Sequence, residues 1–416
     1  MSTMPARPQA SYAQRIAFVS EMAARLHRYG TTAQRLEAAV TALSQRLDLE
    51  CEAWSNPTGL ILSFSDPAKA LGSTDTTRVI RLPPGENDLA KLCEADRIAE
   101  AVANGQMTVA QGHTALRTLD LAPSRWARIA QVLAFGLAAA GVAGLWRLPW
   151  PDIATAAFTG VLIGLLDQFA SARPAMKEAS EALSALMAGA VVSLVAALAG
   201  PLNLNTVIIA SLVALLPGMA LTNAMNELTS QHWVSGTVRM AGALTTVMKL
   251  TVGAMVAVAL IDLVGLKPLV RASRIQAGWV EWVSMGVAAL AFAALFKARA
   301  RDYPWVMGAA ISGYLIARYV GEAWGSLAGI FLSALVLTAA GNAFGRWKQR
   351  PGAVVRLPGI IMLVPGSASL RGLLTMVQQQ DVGAGQSALL GVLNIVMALV
   401  AGLLFGNLLL PARKNL

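Results

Sequence analysis

The sequence predicts a polytopic α-helical membrane protein, with about ten transmembrane helices in two inverted five-helix repeats behind a small cytosolic α+β domain. Three observations predict it. The 45 residues from Ala182 to Asn226 contain no Asp, Glu, Lys or Arg and are interrupted only by Pro201 and Pro217. A helix crossing about 30 Å of hydrocarbon takes roughly 20 apolar residues, so this run is long enough for two helices folded back at Pro201. Of the 416 residues, 56% are hydrophobic, only 13% are charged and 36 are glycine, a type more frequent in transmembrane than in soluble helices. Finally, Leu215-Leu216-Pro217-Gly218-Met219-Ala220 recurs as Leu363-Val364-Pro365-Gly366-Ser367-Ala368, and the same offset of 148 residues carries Gly160 onto Gly308. Two repeats with an odd number of crossings enter the membrane from opposite faces, a common plan of secondary transporters.

The chain divides near Pro123, giving domains 1–124, 125–274 and 275–416. In the first, residues 13–28 and 32–47 have the spacing of amphipathic helices, with Tyr29-Gly30-Thr31-Thr32 supplying a Gly stop and a Thr cap between them. Alternating segments at 50–54, 58–65 and 77–82 predict strands, broken at Asn56-Pro57-Thr58-Gly59 and Ser65-Asp66-Pro67. Two more helices follow at 87–104 and 108–120, joined at Asn104-Gly105. About 120 residues are enough to bury a modest core.

Ten apolar segments follow, at 127–146, 152–171, 181–200, 203–224, 237–261, 277–297, 303–320, 323–343, 357–376 and 384–409. The second is cut short by Asp167 and the fifth is crossed by Lys249. With both termini cytosolic, 14 basic residues fall on inside flanks and six outside, as the positive-inside rule requires, although the cluster from Lys267 to Arg274 goes against it. The first 20 residues have no continuous apolar core of a secretory signal, so the N-terminal domain is expected in the cytosol.

Several functions are excluded on composition. The net charge of +10 suggests nucleic acid, yet residues 1–124 hold 12 Lys/Arg against 13 Asp/Glu and the excess lies in membrane loops. No basic run is interleaved with aromatics, so no nucleic-acid partner is expected. Cys51 and Cys93 have no CxxC or Cys/His cluster around them, so no metal, cofactor or disulfide is expected. His27, Cys51, Cys93 and His113 fit no nucleophile elbow, HExxH or phosphate loop, so no catalytic residue is assigned and both histidines are expected at the surface.

The chemistry-bearing pattern is Leu-X-Pro-Gly, repeated in the fourth and ninth segments. Proline removes a backbone donor and clashes with the preceding turn, while glycine lets the chain unwind. Unwound backbone survives in a membrane only where it faces protein or a water-filled cavity, so these two helices are expected to wall a substrate path. The candidate path residues are Pro217, Gly218, Asn223, Asn226, Lys249, Pro365, Gly366 and Arg371. Lys249, too deep for a loop residue, is expected to hold an anionic group or to pair with Glu227 or Asp167, the candidates for proton coupling.

Further residues carry a family resemblance. His27-Arg28-Tyr29-Gly30-Thr31-Thr32-Ala33-Gln34-Arg35-Leu36-Glu37 and Asn56-Pro57-Thr58-Gly59 resemble the start of the threonine/serine exporter (ThrE) family. Leu215 to Ala224, then Asn226-Glu227-Leu228, Ser235-Gly236 and Arg239, are similar to its Pro-Gly helix and following loop, with Glu227-Leu228 where members usually have Asp-Leu. The second half resembles a partner subunit that is separate in two-chain relatives. The resemblance implies a proton-driven exporter of threonine and serine rather than an enzyme. The two-chain relatives imply a dicarboxylate (succinate) exporter instead. A channel and a membrane-tethered hydrolase are also compatible with the sequence. The implied partners are the lipid bilayer, a small-molecule substrate and protons, with homo-oligomerisation left open.

Overall fold

A computed structural model describes residues 10–68, 75–271, 275–363, 366–378 and 382–412. The N-terminal unit comprises α1 (Tyr12–Arg28), α2 (Ala33–Gln45), β1 (Glu50–Asn56), β2 (Gly59–Ser65), β3 (Thr76–Arg81), α3 (Leu89–Ala103) and α4 (Val109–Thr118). These are the expected elements, displaced by a few residues. Ser11 and Thr108 open α1 and α4 with capping boxes closed by Gln14 and Gln111. The strands form an antiparallel meander in the order β1-β2-β3. Period-two alternation turns Leu60, Leu62 and Phe64 of β2 into a core with Phe18, Met22 and Leu26 of α1 and Leu36 of α2. His27, expected at the surface, is buried in this unit, where Nε2 meets the Pro83 carbonyl at 3.1 Å.

The remaining helices are α5 (Arg125–Leu145), α6 (Trp150–Ser171), α7 (Pro174–Leu198), α8 (Leu204–Ser211), α9 (Gly218–Thr229), α10 (Trp233–Leu263), α11 (Gly278–Leu295), α12 (Tyr303–Trp324), α13 (Ser326–Lys348), α14 (Ala353–Ile361), α15 (Gly366–Gln378) and α16 (Val382–Leu409). Among the described residues, eight helical stretches are long and apolar enough to cross a bilayer, with α14 and the start of α15 forming one of them. The count becomes nine if α8 and α9, bent by 55° at their break, form one span. The chain is thus a multi-pass membrane protein, with eight or nine such spans against the expected ten. The segment expected at 303–320 is a helix, α12, packed between α11 and α13, but Tyr314, Arg318 and Glu322 recur every four residues and give it a polar stripe.

Small residues let these helices approach closely. A methyl group at Gly141 of α5 would lie 2.8 Å from the Ala288 backbone of α11, and at Gly253 of α10 it would lie 2.2 Å from the Ala182 carbonyl of α7. The α+β unit docks on one end of the bundle. The first amides of α3 donate to carbonyls after α11, Leu89 to Phe296 at 3.0 Å and Ala90 to Lys297 at 3.3 Å. Arg299 pairs with Glu94 at 2.6 Å, and Lys297 and Lys177 reach Glu86. The far end is tied by Leu202 bridging Val270 and by Arg147 donating to the Gln276 carbonyl.

Candidate functional site

The first Leu-X-Pro-Gly segment breaks its helix, and the start of the helix that follows the second segment lies against that break. After α8, one turn of 3₁₀ helix (Val213–Leu215) leads to extended Leu216 and then to Pro217, which caps α9 without a side-chain hydrogen bond. In the second half α14 ends at Ile361 and α15 begins at Gly366, whereas Pro365 lies outside the described residues. A Cβ on Gly366 would stand 3.0 Å from the Leu216 Cβ and 3.4 Å from the Gly218 nitrogen, so a larger side chain presses on the first break. Gly218 and Gly366 both line a central cavity of about 190 Å³. Its walls are otherwise apolar, with Trp146 of the α5 end, Phe292 of α11 and Met362, and its polar side chains are Tyr314 and Ser367. The N-terminal ends of two helices thus meet one void, and such ends carry free amides and partial positive charge.

A second cavity, of about 60 Å³, lies nearer the α+β unit. α9 supplies Thr222, Asn223 and Asn226 to it, α14 supplies Arg356, α16 supplies Asn407 and the α1–α2 turn with α2 closes it with Gly30 and Arg35. Gly30 makes the turn at φ +81°, and a Cβ there would stand 2.6 Å from Asn87 Oδ1. Burial lowers the Arg35 guanidinium to about 10, which leaves it cationic at neutral pH. Neither Arg35 nor Arg356 has an ion pair among the described residues, and no acid lines this cavity. α9 and α14 run from one cavity to the other.

Other expected residues are placed differently. Glu227, at the end of α9, is fully buried and saturated: Arg239 donates two bonds of 2.9 Å, Ser235 one of 2.8 Å, and the Ala33 amide at the start of α2 one of 3.1 Å. It joins the membrane part to the α+β unit, beside a second tie in which His232 Nε2 meets Glu37 at 3.0 Å. Lys249 pairs with Glu181 of α7 at 3.2 Å and donates to the Glu178 carbonyl, rather than reaching Glu227 or Asp167 as expected. The reason is register: α10 packs lengthwise on α7, and Lys249 reaches along the groove to the basal turn of that helix. Asp167 is half-buried on α6. Arg371 is exposed on α15, its guanidinium 5.5 Å from the ring centre of Trp146, a wall of the central cavity.

Sequence reasoning missed Glu281. This buried acid of α11 accepts from Tyr314 at 2.8 Å and pairs with Arg318, so a charged cluster backs the central cavity through Tyr314. An acid and a base in two adjacent apolar segments were the available signal. The two thiols are inert, because burial pushes both Cys51 and Cys93 up to about 11.

Comparison with known proteins agrees with this arrangement. The sequence model of the threonine/serine exporter family, ThrE, matches residues 17–261, more than half of the chain. The chain belongs to this family. A second threonine/serine exporter model matches residues 281–409, so both parts of the exporter are fused here. The chain is also similar to fungal proteins named pheromone-regulated membrane protein 10. Identity is 25% over 382 residues in Pichia sorbitophila and 26% over 384 residues in Zygosaccharomyces rouxii, each alignment covering 88% of this chain and 38% of the relative. In Saccharomyces cerevisiae it is 24% over 379 residues, covering 88% of this chain and 48% of the relative. The exporter-family chain therefore spans less than half the length of these relatives. No solved structure matches it.

Proposed function

We propose that this protein is a secondary transporter that exports threonine and serine from the cytosol, driven by the proton gradient. The observation that carries the reading is the meeting of two helix starts, one from each half, over a single cavity. Helix N-termini at such a break receive an anionic group, here the substrate carboxylate. Tyr314 and Ser367 are hydroxyl groups within reach of a small polar side chain. At about 190 Å³ the cavity is smaller than the roughly 300–1,000 Å³ of pockets for drug-sized ligands, which suits a single amino acid.

In this reading the chain is organised as 1–124, 125–274 and 275–416, the latter two as inverted repeats that rock against each other. The α+β unit and both termini face the cytosol of a cell whose inner membrane carries the protein. Support comes from the basic loops, since Lys177, Arg239, Lys297 and Arg299 all lie where that unit docks. Substrate passes the second cavity, with Asn223 and Asn226 on its route, and enters the central one beside Arg371. Lys249 and Glu227 hold the scaffold.

One observation favours a second substrate class. Arg35 and Arg356 face a cavity with no acid in its lining, which suits a dicarboxylate better than a zwitterion. Efflux from proteoliposomes preloaded with labelled threonine, serine or succinate, with and without an imposed proton gradient, tests both. Gradient-dependent efflux of threonine or serine supports the first reading and of succinate the second. Flux that ignores a protonophore indicates a channel, and hydrolase activity retained by residues 1–124 indicates a tethered enzyme.

A further inference from the structure

We infer that Asp152 is the carboxylate that binds the coupling proton. This rests on the proton-driven reading above, but on different residues from those the sequence singled out. Asp152 lies in the first turn of α6, at the end of the bundle away from the α+β unit, and has no exposed surface. Its Oδ2 accepts one hydrogen bond, 2.6 Å from the Asn203 amide, and its Oδ1 has no partner among the described residues. A carboxylate in the first turn ordinarily draws on free helix amides. Here Pro149 is the cap and Pro151 precedes the acid, so two of those amides do not exist.

The second half pairs the corresponding acid with a cation. Asp302 stands at the start of α12 as Asp152 does at the start of α6, and Arg350 precedes the broken helix α14 as Asn203 precedes α8. There the carboxylate is buried too, but both oxygens are held by the Arg350 guanidinium, one at 2.6 Å. In the first half the cation is replaced by a neutral amide. A buried carboxylate oxygen with no donor on it is an open place for a proton, and in the first half that place is Oδ1 of Asp152.

Among the described residues, the surrounding charges do not fill it. α7 and α8 carry no charged residue at this end. Arg147, following α5, is engaged with the Gln276 carbonyl, and Glu281 of α11 is paired with Arg318. Arg271 follows Val270, whose bridge partner is Leu202, and Lys267 precedes it; neither forms an ion pair with Asp152 among the described residues. Asn203 also lines a wide surface cleft of about 620 Å³ with Asn205 and Asp262, which gives protons a route. The other end of α8 leads to Val213 and Leu216 on the central cavity. Gaining or losing the proton alters the Asn203 bond and with it the seat of the broken helix.

Two measurements test this on the full chain in liposomes. Infrared difference spectra between acid and alkaline buffer are expected to contain a protonated-carboxyl band that disappears in Asp152→Asn; identical bands in both proteins would overturn the assignment without reference to transport. Efflux and counterflow of whichever labelled compound the wild type moves are then compared in Asp152→Asn and in Asn203→Arg, which rebuilds the Asp302–Arg350 arrangement. Counterflow within about twofold of wild type, with stimulation by the proton gradient lost, is the expected result. Stimulation that persists in a variant retaining counterflow sinks the inference. A wild type that ignores the proton gradient, or follows a sodium gradient instead, refutes the proton-driven reading itself.

Discussion

The two cavities along α9 and α14 differ in where their polarity comes from. The cavity beside the α+β unit is small and carries its polarity on side chains, Arg35, Arg356, Asn223, Asn226 and Asn407. The central cavity is three times larger and mostly apolar, with its polarity in the backbone of two helix ends and in two hydroxyls. Long charged side chains can sort ligands beside the α+β unit. Between the two halves, oriented amides at helix ends can receive an anion without placing a net charge in the membrane.

The largest effect should come from filling the central cavity. Gly366→Val places a side chain against Leu216 and Gly218 and is expected to lower efflux by roughly 100-fold or more while the protein still elutes as a folded species in detergent. Retained efflux would mean that substrate does not pass the helix breaks. Next comes the tie between the membrane part and the α+β unit. Arg239→Ala leaves Glu227 buried without its cation and should cost about 3–5 kcal/mol, read as a lowered melting temperature of the full chain; an unchanged melting temperature would remove Glu227 from the scaffold. Sorting at the arginine-lined cavity is the third target. Arg35→Ala and Arg356→Ala should each raise KM for efflux about tenfold with little change in maximal rate, whereas a fall in rate at constant KM would assign these cations to the translocation step.

The smallest effect concerns the α+β unit that closes the arginine-lined cavity. Burial lowers the pKa of His27 below its ordinary 6.5, so the folded state prefers the neutral ring. The stability this contributes is complete above 6.5 and is lost as pH falls through the folded value, because the unfolded chain takes up the proton first. His27→Gln should flatten that decline in thermal unfolding scans run at successively lower pH.

Much of this was legible in the sequence because it depends on local rules. Period-two alternation at 58–65 and the Gly30 and Asn104-Gly105 stops located the α+β elements, and charge-free runs located the membrane helices. The paired Pro-Gly breaks announced themselves as well, since a break in a membrane helix must be covered. What was not legible is pairing over long separations. Glu227 meets Ala33 across 194 residues, and Lys249 meets Glu181 across 68. Which acid a buried cation finds depends on how two helices are phased against each other, and hydrophobic period does not encode that. The polar stripe of α12 was hidden for a related reason: its partner, Glu281, lies on another helix.

The contact between Gly366 and Leu216 also imposes an order on biosynthesis. A ribosome delivers α8 and α9 long before α14 and α15, which complete the cavity around them. During that interval the uncapped start of α9 sits in the membrane with no second half against it. The nascent first half is therefore a species that the insertion machinery must shelter, and its vulnerable window closes only when the last third of the chain has been made.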